Sequence, residues 1–147
     1  TSGDGYKLDS TTYYGAYDRL ANKRTPSLRC SQDNDKFIVS STSAKLDYPI
    51  GLIQADEVAL AGGVYNTTNM NYYLYNSRYF WTLSPSYFDS IYSFARVWLV
   101  MSSGSLSPRY DVTLSYGVCP VINLKQNTII SKGDGSSLNP FVIKTEE

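Results

Sequence analysis

The sequence predicts an α+β domain, with two short helices in its N-terminal half and a twisted, mostly antiparallel sheet in its C-terminal half. Three observations carry this. Helical signals cluster before residue 63, and the strongest of them ends on Gly62-Gly63. Beyond that point aromatic and β-branched runs dominate to the end of the chain. Helical and strand patterns are segregated rather than alternating, and no internal repeat is evident, which argues against a parallel α/β sheet. The 147 residues suit one domain able to bury roughly 70% of its unfolded surface. We expect residues 1–12, rich in Gly, Ser and Thr, to form a flexible segment and residues 13–147 to form that domain.

The elements follow in order. Tyr13, Tyr17 and Leu20 fall on one helical stripe, which predicts a short helix over Tyr13 to Ala21. Gly15 costs it about 1 kcal/mol relative to Ala. Thr25-Pro26 interrupts, Ser31 to Asp35 is turn chemistry, and Lys36 to Val39 reads as a short strand. The second helix, Gln54 to Ala61, carries Asp56 and Glu57 in its first turn and ends on the two glycines, matching the dipole and the left-handed cap. A polar loop spans Asn66 to Asn71. Strands are then expected at Tyr72 to Tyr75, Tyr79 to Leu83, Phe94 to Met101, Ser105 to Leu106, Val118 to Leu124, Thr128 to Ile130 and Phe141 to Ile143. Lys132-Gly133-Asp134-Gly135 reverses the chain before the last strand, which Asn139-Pro140 introduces.

Composition excludes several functions. Thirteen basic and thirteen acidic residues cancel, so the footprint that nucleic acid or an anionic membrane requires is missing. No apolar run reaches membrane-span length, and the opening Thr1-Ser2-Gly3-Asp4-Gly5 resembles neither a signal peptide nor an anchor. It reads as an excised soluble domain. The chain has no His, which removes the commonest general base and transition-metal ligand and makes a Ser-His or Cys-His pair impossible. Two cysteines cannot by themselves build a four-ligand zinc site. Asp56 and Glu57 point about 100° apart and suit a helix N-terminus without catalysis. Asp33-Asn34-Asp35 lacks the calcium-loop spacing, and Gly133-Asp134-Gly135 lacks the Lys-Ser/Thr pair of a phosphate loop. No cofactor or metal site is expected, and enzymatic activity is not.

Cys30 and Cys119 form the one possible internal bridge. Closing a loop of about 90 residues would stabilise by about 4–5 kcal/mol. Two free thiols are the alternative. The 14 Tyr, abundant Ser and Thr and low charge lean toward an extracellular setting and so toward the bridge.

What remains is the stretch from Tyr79 to Leu124. Tyr87, Phe88, Tyr92, Phe94, Trp98, Tyr110 and Tyr116 alternate there with Ser, Asp89, Arg96, Arg109 and Asp111. Tyr and Trp give large contact area at low entropy cost and Ser gives adaptable hydrogen bonding, the chemistry of adaptable binding surfaces. Phe94 and Trp98, in an extended run with period two, place at least one sheet face in the core. Tyr87, Phe88, Arg109, Tyr110 and Asp111 are expected in exposed loops, where Tyr and Arg act as interface hot spots.

The order Tyr48-Pro49-Ile50-Gly51-Leu52-Ile53-Gln54-Ala55-Asp56-Glu57-Val58, then Tyr79-Phe80-Trp81-Thr82-Leu83-Ser84-Pro85, Gly104-Ser105-Leu106 and Tyr116-Gly117-Val118-Cys119-Pro120-Val121-Ile122-Asn123-Leu124 resembles bacterial surface domains of C-type lectin-like fold. More distantly it is similar to the formylglycine-generating-enzyme branch of that fold, which includes the variable proteins of diversity-generating retroelements. The resemblance covers roughly residues 13–144. It implies a C-type lectin-like scaffold whose irregular surface displays a ligand-binding face, here Tyr87, Phe88, Asp89, Ile91, Tyr92, Arg96, Trp98, Arg109, Tyr110, Asp111, Thr113 and Ser115. Such relatives usually carry Arg where this chain has Cys119. The sugar-binding calcium motif of animal lectins and the C-terminal cysteine pair of the formylglycine-generating enzymes have no counterpart.

These readings lead to an extracellular or cell-surface binding module, adhesin-like and possessing a diversified or fixed face. Its ligand would be a protein or glycan on another cell or surface, and the domain a monomeric part of a larger secreted or surface protein. It would neither bind nucleic acid nor insert in a membrane. The runner-up is a structural outer domain of a pilin-like or wall-attached protein without a selective ligand of its own. An enzyme ranks third.

Overall fold

The computed structural model describes residues 6–29, 47–48, 50–136 and 138–144. Its central feature is a sheet in the order β1-β2-β4-β5-β6, with β7 pairing along β4. The strands are β1 (Tyr6–Leu8), β2 (Thr11–Tyr13), β4 (Phe80–Asp89), β5 (Phe94–Val100), β6 (Leu106–Asp111) and β7 (Gly117–Val118). Only the β4–β7 pair in this sheet is parallel. Two antiparallel ribbons complete the strands. One joins β3 (Ile50–Leu52) to β8 (Pro120–Ile122), the other β9 (Ile130–Lys132) to β10 (Val142–Ile143). The α+β class and the mostly antiparallel sheet expected from the sequence are present.

Two helices cover one sheet face. The first, α1 (Gly15–Tyr17), continues as a wider π-helical turn over Asp18–Lys23, and Arg24 closes it in the left-handed region at φ 55°. It starts later than the stripe from Tyr13 suggested because Tyr13 is taken by β2, opposite Tyr87. The second helix, α2 (Ala55–Ala61), begins with a reciprocal cap in which the Gln54 amide donates to Glu57 Oε2 at 2.8 Å. Gly62, at φ 123°, ends it. Asp56 is buried. Its two oxygens accept Arg19 Nε and Nη2 at 2.9 Å each, and Oδ1 also accepts the Ser27 amide at 2.9 Å. This pair ties α2 to the π-turn, a role beyond the dipole argument that its sequence position suggested.

The core lies between the helices and the sheet: Ala16, Leu20, Ala55, Val58, Tyr72, Phe80, Trp98, Val100 and Leu106. Bulges shape the strands around it. Thr82, Leu83 and Ser84 all lie between the registered pairs Trp81–Leu99 and Pro85–Val97, which leave only Trp98 opposite them, and Pro108 and Arg109 bulge out of β6 at the same level. Backbone carbonyls freed there are met by hydroxyls: Thr82 Oγ1 donates to the Trp98 carbonyl at 2.8 Å and Ser86 Oγ to that of Pro108 at 2.6 Å. Ser84 Oγ accepts the Ala55 amide at 2.9 Å, docking α2 on the sheet. These serines, which in sequence suggest a loop, are buried.

Several sequence expectations change. Residues 6–12, expected to fray, form the β1–β2 hairpin, because Asp9 takes the left-handed conformation at φ 52° and Thr11 to Tyr13 pair with Asp89 to Tyr87. Tyr72 to Tyr75 is a turn; Tyr72 is buried and donates its hydroxyl to the Gly104 carbonyl at 3.0 Å. Gly104 is required there, since it has φ +76° and a Cβ would lie 1.7 Å from the Asn69 carbonyl oxygen. β4 and β6 run through Pro85 and Pro108 past their expected ends, the first at a bulge and the second in the edge strand, where a missing amide is tolerated. The expected strand Val118 to Leu124 is divided between β7 and β8, and the expected strand Lys36 to Val39 lies outside the described residues. Among the described residues no helix is long and apolar enough to cross a membrane.

Candidate functional site

The β4–β5 hairpin carries the aromatic stretch and distributes it over three environments. Trp98 is fully buried, packed against Tyr17 at 6.2 Å and edge-on to Tyr65 at 5.8 Å between ring centres. It belongs to the core, so its place among the ligand-contacting residues is withdrawn. Phe94, on the same strand face and expected in the core, is 42% exposed because the first helix and its π-turn cover the sheet near Trp98 and not at the hairpin end.

The second environment is the hairpin end of the helix-covered face. Cross-strand pairing sets Tyr87 beside Arg96, and Arg96 beside Asp111. The Arg96 guanidinium lies 5.4 Å from the centre of the Tyr87 ring and 5.5 Å from that of Phe94, within cation–π range. Its Nη1 donates to the Arg109 carbonyl. Tyr13 and Tyr17 extend the array behind Tyr87, at 5.5 and 5.8 Å. In front, Tyr92 stacks on Phe94 at 6.2 Å and 19°. Ile91 and Tyr92, at the turn, are 70% and 67% exposed. Asp89 holds that turn, its Oδ1 accepting the Ile91 and Tyr92 amides at 3.0 and 3.3 Å. The result is a graded surface, apolar and open at the tip and cationic and half-buried behind it.

Asp111 sits at the rim. Its Oδ1 accepts the Thr113 amide at 2.9 Å, and this bond, assisted by the charge of Arg96, holds the carboxyl below the usual carboxylate range. Among the described residues three buried side-chain polar atoms lack a hydrogen-bond partner: Arg96 Nε, Trp98 Nε1 and Asp111 Oδ2. All three belong to neighbouring positions of β5 and β6 on the same face. Native interiors leave few such atoms, and a cluster of them needs a reason.

The third environment is the opposite sheet face. Tyr110, expected in an exposed loop, pairs in register with Val97 and points away from Arg96. Its ring meets Tyr116 edge-on at 5.3 Å and lies 6.3 Å from Tyr79, while Tyr116 stacks on Tyr79 and meets Trp81 edge-on. Burial, then the neighbouring phenols of Tyr79 and Tyr116, raise the Tyr110 pKa. This half-buried cluster covers Leu99, which is fully buried. Tyr79 and Trp81, at the start of the strand expected over Tyr79 to Leu83, are its partners. The alternation of Trp81 with buried Phe80 and Thr82 was the signal for a second packed face.

The other expected residues are scattered. Phe88 is half-buried, paired with Ala95 and Thr12 and out of phase with Tyr87. Arg109 and Thr113 are exposed beside the array, and Ser115 is exposed on the way to Tyr116. Cys119 is half-buried and has no disulfide partner among the described residues; Cys30 lies outside them. An open groove of about 470 Å³ beside α2 is lined by Ile53, Leu60, Leu74, Val121 and other apolar groups. Its one carboxylate, Glu57, is engaged by the Gln54 amide. No group of three or more His, Cys, Asp or Glu among the described residues could hold a metal ion. Comparison of the chain with protein-family models, curated proteins and solved structures finds no match.

Proposed function

We propose that this chain is an extracellular ligand-binding module of C-type lectin-like architecture, whose contact face is the end of the β4–β5 hairpin. The observation that supports this is the grouping of Tyr87, Asp89, Ile91, Tyr92, Phe94, Arg96 and Asp111 at one end of one sheet face, graded from open apolar side chains to a half-buried cation. Exposed aromatic and aliphatic groups around an Arg are the anatomy of an interface hot spot. The face supplies no nucleophile with an adjacent base, so the reading is binding rather than catalysis. The aromatic cluster of Tyr79, Trp81, Tyr110 and Tyr116 then serves as the packing that stiffens the sheet beneath it.

The test is capture on arrays of purified extracellular proteins and glycans, comparing the wild type with the pair Ile91→Ser and Tyr92→Ser. Loss of a selective ligand at unchanged unfolding midpoint supports the reading. Equal capture by both rejects the hairpin face. Around the gene, a reverse transcriptase and a near-identical repeat of the Tyr79 to Leu124 coding segment would mark the face as diversified. A second reading, a structural outer domain of a surface fibre, is favoured by the C-terminal residues Ile129, Ile130, Leu138, Phe141 and Val142, all exposed. It expects no selective ligand and a parent protein with a prepilin-type helix or wall anchor.

A further inference from the structure

At the hairpin end, Arg96 carries a cation whose cross-strand carboxylate neighbour, Asp111, acts on it through charge but accepts nothing from its Nε. Nη1 is used by the Arg109 carbonyl, aromatic rings lie against the guanidinium on the Tyr87 and Phe94 sides, and Nε is buried with no acceptor among the described residues. Arg19 shows within the same molecule what the Nε/Nη2 edge takes: it donates from both nitrogens, at 2.9 Å each, to the two oxygens of Asp56. Asp111 faces Arg96 in register but turns Oδ1 to the Thr113 amide and leaves Oδ2 unpartnered, so it does not fill that edge. A buried guanidinium donor left unmet costs free energy that an acceptor from a partner restores.

We infer that the Nε/Nη2 edge of Arg96 receives the carboxylate of an Asp or Glu side chain from a protein partner, an inference that rests on the binding role proposed for the hairpin end. The planar fork of the guanidinium matches a carboxylate bidentately. Phe94 lies against the guanidinium, and Ile91 and Tyr92 are exposed at the adjoining turn, apolar groups suited to exclude water once a partner covers them. A glycan fits less well, because it needs many polar partners and Asp89 Oδ1 and Asp111 Oδ1 are already occupied by backbone amides. Asp111 beside the site repels every incoming carboxylate, so only the acid held by the Arg96 fork is tolerated and an acidic run is disfavoured.

The experiment pans the chain and its Arg96→Lys and Arg96→Gln variants against a random displayed peptide library, in parallel with immobilised uronic-acid oligosaccharides. The wild type is expected to enrich peptides with Asp or Glu at one fixed position among apolar residues. Replacing that acid by Asn or Gln in the peptide weakens binding by about 30-fold or more. This change leaves the protein untouched, so the outcome does not depend on how the variants fold. Arg96→Lys keeps the charge without the fork and loses the preference. Enriched peptides lacking an acid, or an acid whose replacement matters by less than about threefold, overturn the Arg96 inference and leave the binding face standing. Binding of uronic-acid oligosaccharides without peptides overturns the protein-partner assignment. No enrichment by the wild type counts against the binding reading itself.

Discussion

Replacing Trp98 by Ala separates core from exposed surface in the aromatic stretch. Trp98 is fully buried, touches the rings of Tyr17 and Tyr65, and its carbonyl receives the Thr82 hydroxyl. Truncating such a residue removes its transfer free energy and leaves a cavity that bulged strands cannot close, a loss of about 3–5 kcal/mol. A domain of this size has about 5–15 kcal/mol in total, so the variant should unfold at a much lower urea concentration. Tyr92→Ala is the comparison, since Tyr92 is mostly exposed and stacks only on the partly exposed Phe94; its loss should stay within about 1 kcal/mol. Urea unfolding followed by circular dichroism measures both, and an unchanged slope confirms that the same surface is exposed. A Trp98→Ala loss below about 1 kcal/mol, or a Tyr92→Ala loss equal to it, would refute the division.

Asp56→Asn breaks a part-buried bidentate pair at a buried side chain, so it should destabilise by about 1–3 kcal/mol in the same urea assay. Gly104→Ala forces a side chain into a left-handed position and against the Asn69 carbonyl, and should abolish the folded circular dichroism spectrum or lower the melting temperature steeply. Because burial raises the Tyr110 pKa, its stabilising protonated state is favoured in the fold; stability is intact below the ordinary phenol value of about 10 and falls as pH rises through the higher folded value. Ring-labelled NMR should show Tyr110 titrating late, a signal that Tyr110→Phe removes, alongside buried Tyr72, whose pKa burial also raises. Asp111 has the opposite sign: its lowered pKa stabilises above the ordinary carboxylate range, and that contribution is lost as pH falls through the folded value, so carboxyl-carbon NMR should place its midpoint below that of unstructured Asp.

Local signals in the sequence carried the second helix. Asp56, Glu57 and Gly62-Gly63 act within one or two helical turns, so α2 was legible. Bulges were not, because the hydroxyls of Thr82, Ser84 and Ser86 act across strands far apart in sequence. A Ser-Pro-Ser run therefore suggests a loop where the chain is a buried strand. Phe94 and Trp98 share one face of one strand, and only the placement of the first helix decides which of them is covered. Tyr110 and Asp111 separate to opposite faces by simple alternation once Leu106 to Asp111 is a strand, a step hidden by Pro108. The residue types that gather at the hairpin end, Tyr, Arg and Asp, were legible in one stretch. Their division into a rim, a half-buried cation and a second packed face depended on register, which composition does not encode.

The most direct measurement of the central claim is amide hydrogen exchange of the chain with and without a ligand captured on the arrays. Binding at the hairpin end predicts slowed exchange over Tyr87 to Arg96 and Arg109 to Thr113, with Ile130 to Lys132 and Val142 to Ile143 unchanged. Slowed exchange confined to those C-terminal strands, or to the Tyr79 and Tyr116 face, would contradict it.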